Sequence, residues 1–244
     1  MPIYDNTTYG DRIASRYDNF IQISQEQTQA AVEALAALAK DGPALELGIG
    51  TGRIALPLSE KGLAVHGIDA SSQMIDELRR KPGGNAIPIT IGDFGDVAVE
   101  GKFSLIYVVF NTFFSLLTQE DQVRCFANVA SRLLPGGLFV IEAFVPDPAR
   151  FVRNQNIVAS KVEIDEVRLD VVLHDPLHQH LKAQHLVIAN GTIQTYPIQL
   201  RYAWPSELDL MAQLAGLKLR ERWSNWQRSP FTSGDSTHIS IYST

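Results

Sequence analysis

The fold turns on the stretch Leu45-Glu46-Leu47-Gly48-Ile49-Gly50-Thr51-Gly52-Arg53. Ala44, Leu45 and Leu47 read as the end of a buried parallel strand, and the run after the glycines is compatible with a helix. Alternate glycines let a backbone turn sharply and come close to a bound molecule. The helix that follows presents unpaired N–H groups to whatever sits there. A nicotinamide or flavin fingerprint would read G-x-G-x-x-G, whereas this loop reads Gly48-x-Gly50-x-Gly52 and Arg53 holds the third glycine's place. A ligand without phosphates therefore suits the loop better than a pyrophosphate. No Gly-Lys-Ser/Thr follows, which excludes a phosphate-binding P-loop.

About twenty residues on, Ala64-Val65-His66-Gly67-Ile68-Asp69 reads as a second buried strand ending in an acid. That is the distance at which open α/β folds hold a ribose through its hydroxyls. A third apolar run, Ile87 to Ile91, ends in Gly92-Asp93-Phe94, so another carboxylate and an aromatic lie at a strand's carboxyl end. Ligands of such sheets bind along that edge. Around this centre, strands are expected at 43–48, 64–69, 86–91, 103–110 and 137–144, with helices near 52–61, 71–80 and 119–134. Before them, Ser24 and Gln27 have the spacing of a capping box, and a helix runs from there until Gly42-Pro43 stops it. Strand–helix alternation with apolar strands predicts a parallel sheet covered on both faces.

After Pro146 the pattern changes. From about 156 to 203 the runs alternate, with Asp175-Pro176 and Asn190-Gly191 as turn signals, which predicts an antiparallel excursion. A helix at 205–215 and strands at 217–223 and 236–243 follow. The expected division is an arm and cap helix over 1–41, a cofactor-binding core over 42–148, an antiparallel lid over 149–204, and a return to the core over 205–244.

Glu46-Leu-Gly-x-Gly-x-Gly52, Asp69-x-Ser71-x-x-Met74, Gly92-Asp93-Phe94 and Leu133-Leu134-Pro135-Gly136-Gly137 resemble, in order and spacing, the motifs of class I S-adenosylmethionine-dependent methyltransferases. The resemblance covers roughly residues 40 to 145. It implies an α/β fold: a Rossmann-like, seven-stranded, mostly parallel sheet with helices on both faces, an antiparallel β insertion after the fifth strand, and a closing antiparallel pair. It implies S-adenosyl-L-methionine as cofactor and S-adenosyl-L-homocysteine as product. By the same resemblance Glu46, Gly48, Gly50 and Gly52 line the methionyl side, Asp69 with its neighbour Ala70 holds the ribose, Met74 packs on adenine, and Asp93 with Phe94 reads the adenine edge. Small-molecule members commonly fold a Tyr-Asp pair over the cofactor, and Tyr17-Asp18 is the matching pair, placing Tyr17 against the methionine carboxylate. Independently of any family, a carboxylate accepting two hydroxyls makes charge-assisted bonds, and a thioether or aromatic wall plus one acceptor suits adenine.

The chain of 244 residues suits one substantial domain with an elaboration, and its formal charge of −6 carries no basic block. A broad polyanion-binding surface is thereby disfavoured, which argues against nucleic acid as a partner and for a small-molecule substrate. No stretch is apolar and long enough to span a bilayer, and Met1-Pro2-Ile3-Tyr4-Asp5 lacks the features of a signal peptide, so a cytoplasmic, membrane-free protein is expected. Cys125 is the only cysteine, which leaves neither a disulfide nor a radical-type iron–sulfur cluster within one chain. The sequence leaves the oligomeric state open.

Methyl transfer is an in-line displacement, so alignment and exclusion of water matter most, and a base is needed only for a protonated acceptor. The fourth strand exits through Val109-Phe110-Asn111-Thr112-Phe113-Phe114, without the Asn/Asp-Pro-Pro-Tyr/Phe run of amino-methylating relatives or the Pro-Cys pair of C5-cytosine enzymes. Asn111, Phe114 and Tyr202 are the expected substrate contacts. No acid occurs in 110–117, so no metal is expected there. If Asn190-Gly191 makes a two-residue hairpin, His185 faces Tyr196 on an otherwise apolar strip, a pair placed either to take a proton from the acceptor or to fill the core. His174, His178 and His180 flank a turn without metal-site spacing. The expected activity is S-adenosylmethionine-dependent methyl transfer to an oxygen or nitrogen of a small molecule. The rivals are a non-catalytic cofactor-binding protein and a methyltransferase of a macromolecule.

Overall fold

The computed structural model describes residues 4–20 and 23–244. Residues 1–3, part of the start read above for a signal peptide, lie outside the described residues. The arm carries two short helices, α1 (Thr8–Ile13) and α2 (Tyr17–Phe20), before the longer α3 (Gln25–Ala39). The predicted capping box opens α3: Ser24 Oγ accepts from the Gln27 N–H at 3.1 Å, and the Gln27 side chain accepts from the Ser24 N–H at 3.2 Å. Such a cap contributes about 1 kcal/mol.

The core then alternates β1 (Ala44–Leu47), α4 (Ala55–Glu60), β2 (Val65–Asp69), α5 (Ser72–Arg80), β3 (Ile89–Ile91), β4 (Phe103–Val108), α6 (Gln119–Arg132) and β5 (Leu133–Phe144). An antiparallel excursion follows, β6 (Gln155–Val162), β7 (Glu166–Asp175), β8 (His180–Ala189) and β9 (Thr192–Arg201), and α7 (Pro205–Leu214), β10 (Lys218–Trp223) and β11 (Thr237–Ser243) close the chain. The seven-stranded sheet has the order β10-β11-β5-β4-β1-β2-β3, parallel from β5 to β3, with β11 antiparallel to both its neighbours. Alternate side chains of β4 serve opposite layers. Ile106 and Val108 join Phe126, Leu208 and Met211 of α6 and α7 on one face, while Leu105 and Tyr107 join Leu35, Leu58 and Leu78 of α3, α4 and α5 on the other. Burial on both faces is why these strands read as nearly continuous apolar runs.

Besides β4, which ends at Val108 rather than at 110, three boundaries differ from expectation, each for a local reason. The helix after the glycine loop starts at Ala55 because Thr51 to Arg53 belong to the loop, and Pro57 is tolerated in its first turn. β3 is cut to Ile89–Ile91 because Pro88 has no N–H to pair. β5 begins at Leu133, as soon as α6 ends, because Leu133 already pairs with Phe103.

The excursion is a second sheet of order β6-β7-β8-β9. Asn190 and Gly191 both have positive φ, 52° and 71°, as a two-residue hairpin of the twisted kind requires. The register runs unbroken from Ala189↔Thr192 through His185↔Tyr196 to His180↔Arg201. Pro197 is accommodated because β9 is an edge strand. The arm lies between this sheet and the core. Gly10 of α1 sits so close to α5 that an added Cβ would lie 2.7 Å from Ser71 Cβ, and Ser71 Oγ donates to Asp11 Oδ1 at 2.6 Å. On its other side the arm meets the lid: the Gln199 N–H donates to Tyr4 Oη at 3.1 Å, Arg16 donates to Gln194, and Arg168 both donates to the Phe20 carbonyl at 3.2 Å and lies 5.0 Å over its ring.

Candidate functional site

β1, β2 and β3 are adjacent and parallel, so their carboxyl ends form one rim. Gly48, Gly50 and Gly52 follow β1, all with positive φ (71°, 54° and 80°), where other residues would be strained. They differ in surroundings. A Cβ on Gly48 would lie 2.5 Å from Thr112 Cγ2, and one on Gly52 2.9 Å from Leu78, whereas one on Gly50 would meet nothing closer than the Gly48 carbonyl at 3.9 Å. Gly50 thus faces open space above the rim.

Asp69 stands at the end of β2. Its Oδ2 accepts from the Gly50 N–H at 2.7 Å and its Oδ1 from the Ser71 N–H at 2.9 Å. Burial pushes its pKa above the ordinary value, opposed by the N–H groups of Ser71, Gly50 and Ala70. The carboxylate is therefore fixed in orientation, with lone pairs left for a ligand. Met74 is buried one turn along α5, beneath the arm. Asp93 follows β3; its Oδ1 accepts from the Gly95 N–H at 2.7 Å and its Oδ2 from Asn6 of the arm at 3.3 Å. Phe94 is buried, its ring 4.0 Å from the Cβ position of Gly48.

Glu46 is placed otherwise than a rim ligand. It is 3% exposed, beneath the glycine loop, where Tyr107 Oη donates to its Oε2 at 3.0 Å. Burial pushes its pKa up to about 8, against the opposing pull of Tyr107 and Arg53, so it is mostly a neutral carboxyl at pH 7. Arg53, which in the sequence served only to break a dinucleotide pattern, lies with its guanidinium 5.2 Å over the Phe110 ring. Among the described residues it has no hydrogen-bond or ion-pair partner, although it acts electrostatically on Glu46 and on Tyr17. A planar donor fork without an acceptor suits an anionic ligand group. Tyr17 is packed against the same place, and burial pushes its hydroxyl up to about 12. Its neighbour Asp18 clamps the glycine loop, accepting from Thr51 Oγ1 at 2.6 Å and pairing with Lys81 at 2.6 Å, while Lys81 also donates to the Thr51 carbonyl at 2.8 Å.

The glycine loop, Asp69 and Asp93 thus lie along one rim, to which the arm is tied through Asn6, Asp11 and Asp18. A family model described as a methyltransferase domain matches residues 44–137. The solved structure of the CcbJ methyltransferase from Streptomyces caelestis is 40% identical over 98% of each chain, with a TM-score of 0.92. The chain belongs to the class I S-adenosylmethionine-dependent methyltransferases. This methyltransferase is also similar to a curated relative, the cypemycin N-terminal methyltransferase of a Streptomyces species, 29% identical over 192 residues and 78% of each chain. It shares its fold with S-adenosylmethionine-bound CalS10, an amino pentose methyltransferase from Micromonospora echinaspora, at 18% identity and a TM-score of 0.69 over 93% and 94% of the two chains. Its cofactor is S-adenosylmethionine.

The residues expected to contact the acceptor fall in two places. Phe110 and Asn111, after β4, both have positive φ, 60° and 64°, and line a cavity of about 260 Å³ together with Gln27, Arg53, Glu142 and Trp226. The cavity lies on the face covered by α3. Phe114 and Tyr202 are instead buried on the opposite face, Phe114 edge-on to Phe144 and Tyr202 hydrogen-bonded to His174 at 2.9 Å. His178 bonds Asp175 at 2.7 Å and His180 the Leu117 carbonyl at 2.8 Å, so the three histidines of that turn have separate partners.

His185 and Tyr196 are cross-strand neighbours, yet their polar atoms go elsewhere. His185 Nδ1 is 2.5 Å from Asp170 Oδ1, on the strand at its other side, and Tyr196 Oη donates to Gln194 at 3.1 Å. Asp170, His185 and Tyr196 therefore form a row across β7, β8 and β9, facing the arm where Phe20 and Tyr9 pack at 5.5 and 6.4 Å between ring centroids. Asp170 escaped the sequence reading because only the hairpin turn at 190–191 fixed a register. The Asp175-Pro176 turn, counted through to His180↔Asp175, would have placed it opposite His185.

Proposed function

We propose that this methyltransferase transfers the methyl group to an amine nitrogen of a small molecule. Within that reading Asp69, helped by the N–H of Ala70, holds the ribose hydroxyls; Asp93, Phe94 and Met74 hold adenine. The glycine loop, Tyr17 and Arg53 hold the methionyl part, with Arg53 on its carboxylate, and Glu46 supports the loop from below. When bound, S-adenosylmethionine supplies an electrophilic methyl group on a sulfonium sulfur. The observation carrying the cofactor part is the fixed Asp69 carboxylate beside an open Gly50, together with an Arg53 guanidinium that has no partner among the described residues.

Nitrogen is favoured over oxygen by the name of the curated relative, an amino-terminal methyltransferase, and by the Asp170–His185 pair. An ammonium acceptor must lose a proton, and a ring whose Nδ1–H is given to Asp170 leaves Nε2 as the acceptor. His185 is proposed as that base, acting from the lid side, with Tyr196 shaping its pocket. Asn111 lies at the acceptor side of the rim, and Phe114 and Tyr202 support the acceptor pocket from within the core. An acidic protein of formal charge −6 suits a cationic small molecule better than a polyanion.

The test is incubation with isotopically labelled S-adenosylmethionine and matched small amines, alcohols and phenols, read by mass for a gain of one methylene. Labelled N-methyl products, lost in His185→Ala, support the reading; turnover confined to hydroxyl acceptors would replace it.

A further inference from the structure

The turn that ends β4 is held in a conformation its own residues disfavour. Phe110 and Asn111 are consecutive non-glycine residues in the left-handed region, and for a bulky phenylalanine that is an outlier. Such strain persists only where surrounding structure over-determines it. Besides the turn's own bonds from Thr112 to Val109 and from Phe114 to Asn111, the restraint comes from β5. Glu142 Oε2 accepts from the Phe110 N–H at 2.9 Å, the Glu142 carbonyl accepts from the Asn111 N–H at 3.2 Å, and Asn111 Oδ1 accepts from the Phe144 N–H at 2.7 Å. Trp226, in the loop between β10 and β11, donates its indole N–H to Glu142 Oε1 at 2.8 Å and so fixes the carboxylate. Arg53 caps the Phe110 ring from the other side.

The turn also touches the cofactor loop. Thr112, the next residue, fills the space that a side chain on Gly48 would need. A shift of the turn is therefore transmitted to the glycine loop, and alignment of reacting groups is steeply sensitive to displacement.

We propose that Glu142 is a positioning residue for methyl transfer: with Trp226 it locks the Phe110–Asn111 turn against Gly48 from the face opposite the lid. The carboxylate is needed as a two-handed acceptor, one oxygen for the strained backbone and one for the indole. A glutamine can still accept from Phe110 through its amide oxygen, but cannot also accept from Trp226 through its NH₂ group.

The test compares Glu142→Ala, Glu142→Gln and Trp226→Phe in the full chain. Each is assayed by single-turnover methyl transfer, by S-adenosylhomocysteine titration, and by amide hydrogen exchange over 109–114. The expected result is a drop in the transfer rate of about 10- to 100-fold in Glu142→Ala. Affinity for S-adenosylhomocysteine and KM for the acceptor should stay within about threefold, faster exchange should be confined to 109–114, and Glu142→Gln and Trp226→Phe should fall between this variant and the parent. Should Glu142→Ala fail to fold, the graded ordering of the two milder variants carries the test. A transfer rate unchanged in all three overturns the proposal, as does a loss that merely follows cofactor affinity or global melting.

Discussion

Asp170 Oδ1 and His185 Nδ1 lie 2.5 Å apart across β7 and β8, on the face of the lid that meets the arm. The hydrogen bond to His185 holds the Asp170 carboxyl below the usual range, so it stays ionised and orients the ring. If His185 takes the acceptor's proton, Asp170→Asn should lower kcat about 10- to 100-fold and His185→Ala at least as much, with cofactor affinity unchanged. The loss should shrink at high pH, where the amine arrives already deprotonated. Rate profiles from pH 6 to 10 check this, and a loss independent of pH would make the pair structural.

Asp69→Ala removes a carboxylate that two backbone N–H groups hold ready for a ligand. Affinity for S-adenosylmethionine should fall by about 1.5–3 kcal/mol, the range for hydrogen bonds to a charged group. Titration calorimetry measures it. Unaltered affinity would remove Asp69 from the ribose site.

Arg53→Ala should weaken S-adenosylmethionine about 10- to 100-fold, because its guanidinium has no acceptor among the described residues and is proposed to meet the methionyl carboxylate. Decarboxylated S-adenosylmethionine supplies the control. Its affinity should be nearly the same for parent and variant, and equal losses for both ligands would place Arg53 elsewhere.

Glu46 predicts a pH dependence of stability in the cofactor-free protein. Its carboxyl has a folded pKa of about 8 against an ordinary value of 4.5, so the unfolded chain ionises first. Its contribution is complete below about pH 4.5 and is lost as pH rises through 8. Glu46→Gln removes that loss, so relative to the parent it should gain on the order of 4 kcal/mol between pH 5 and pH 9. Denaturant unfolding at the two pH values reads the difference, and parallel curves would contradict a neutral Glu46.

Asp18 bridges the arm to the glycine loop through Thr51 and Lys81, a half-exposed contact worth less than 1 kcal/mol to global stability. Its loss should show in kinetics instead. Asp18→Ala should speed dissociation of S-adenosylhomocysteine about three- to tenfold in stopped-flow displacement while the melting temperature moves little.

Much of this was written along the chain. The glycine spacing, the acids after β2 and β3, the capping box at Ser24 and the Asn190-Gly191 turn are local features, set by backbone conformations and strand periods that a short segment specifies alone. They sufficed for the sheet, the excursion after β5, and the pairing of His185 with Tyr196. Tertiary structure decided what depends on neighbours distant in sequence. Glu46 became a neutral carboxyl because the packed sheet and glycine loop bury it, His185 found Asp170 because β7 lies on its free side, and Arg53 was left without an acceptor among the described residues above Phe110. A side chain's charge, partner and freedom are set by which elements pack around it, and no spacing along one segment encodes that.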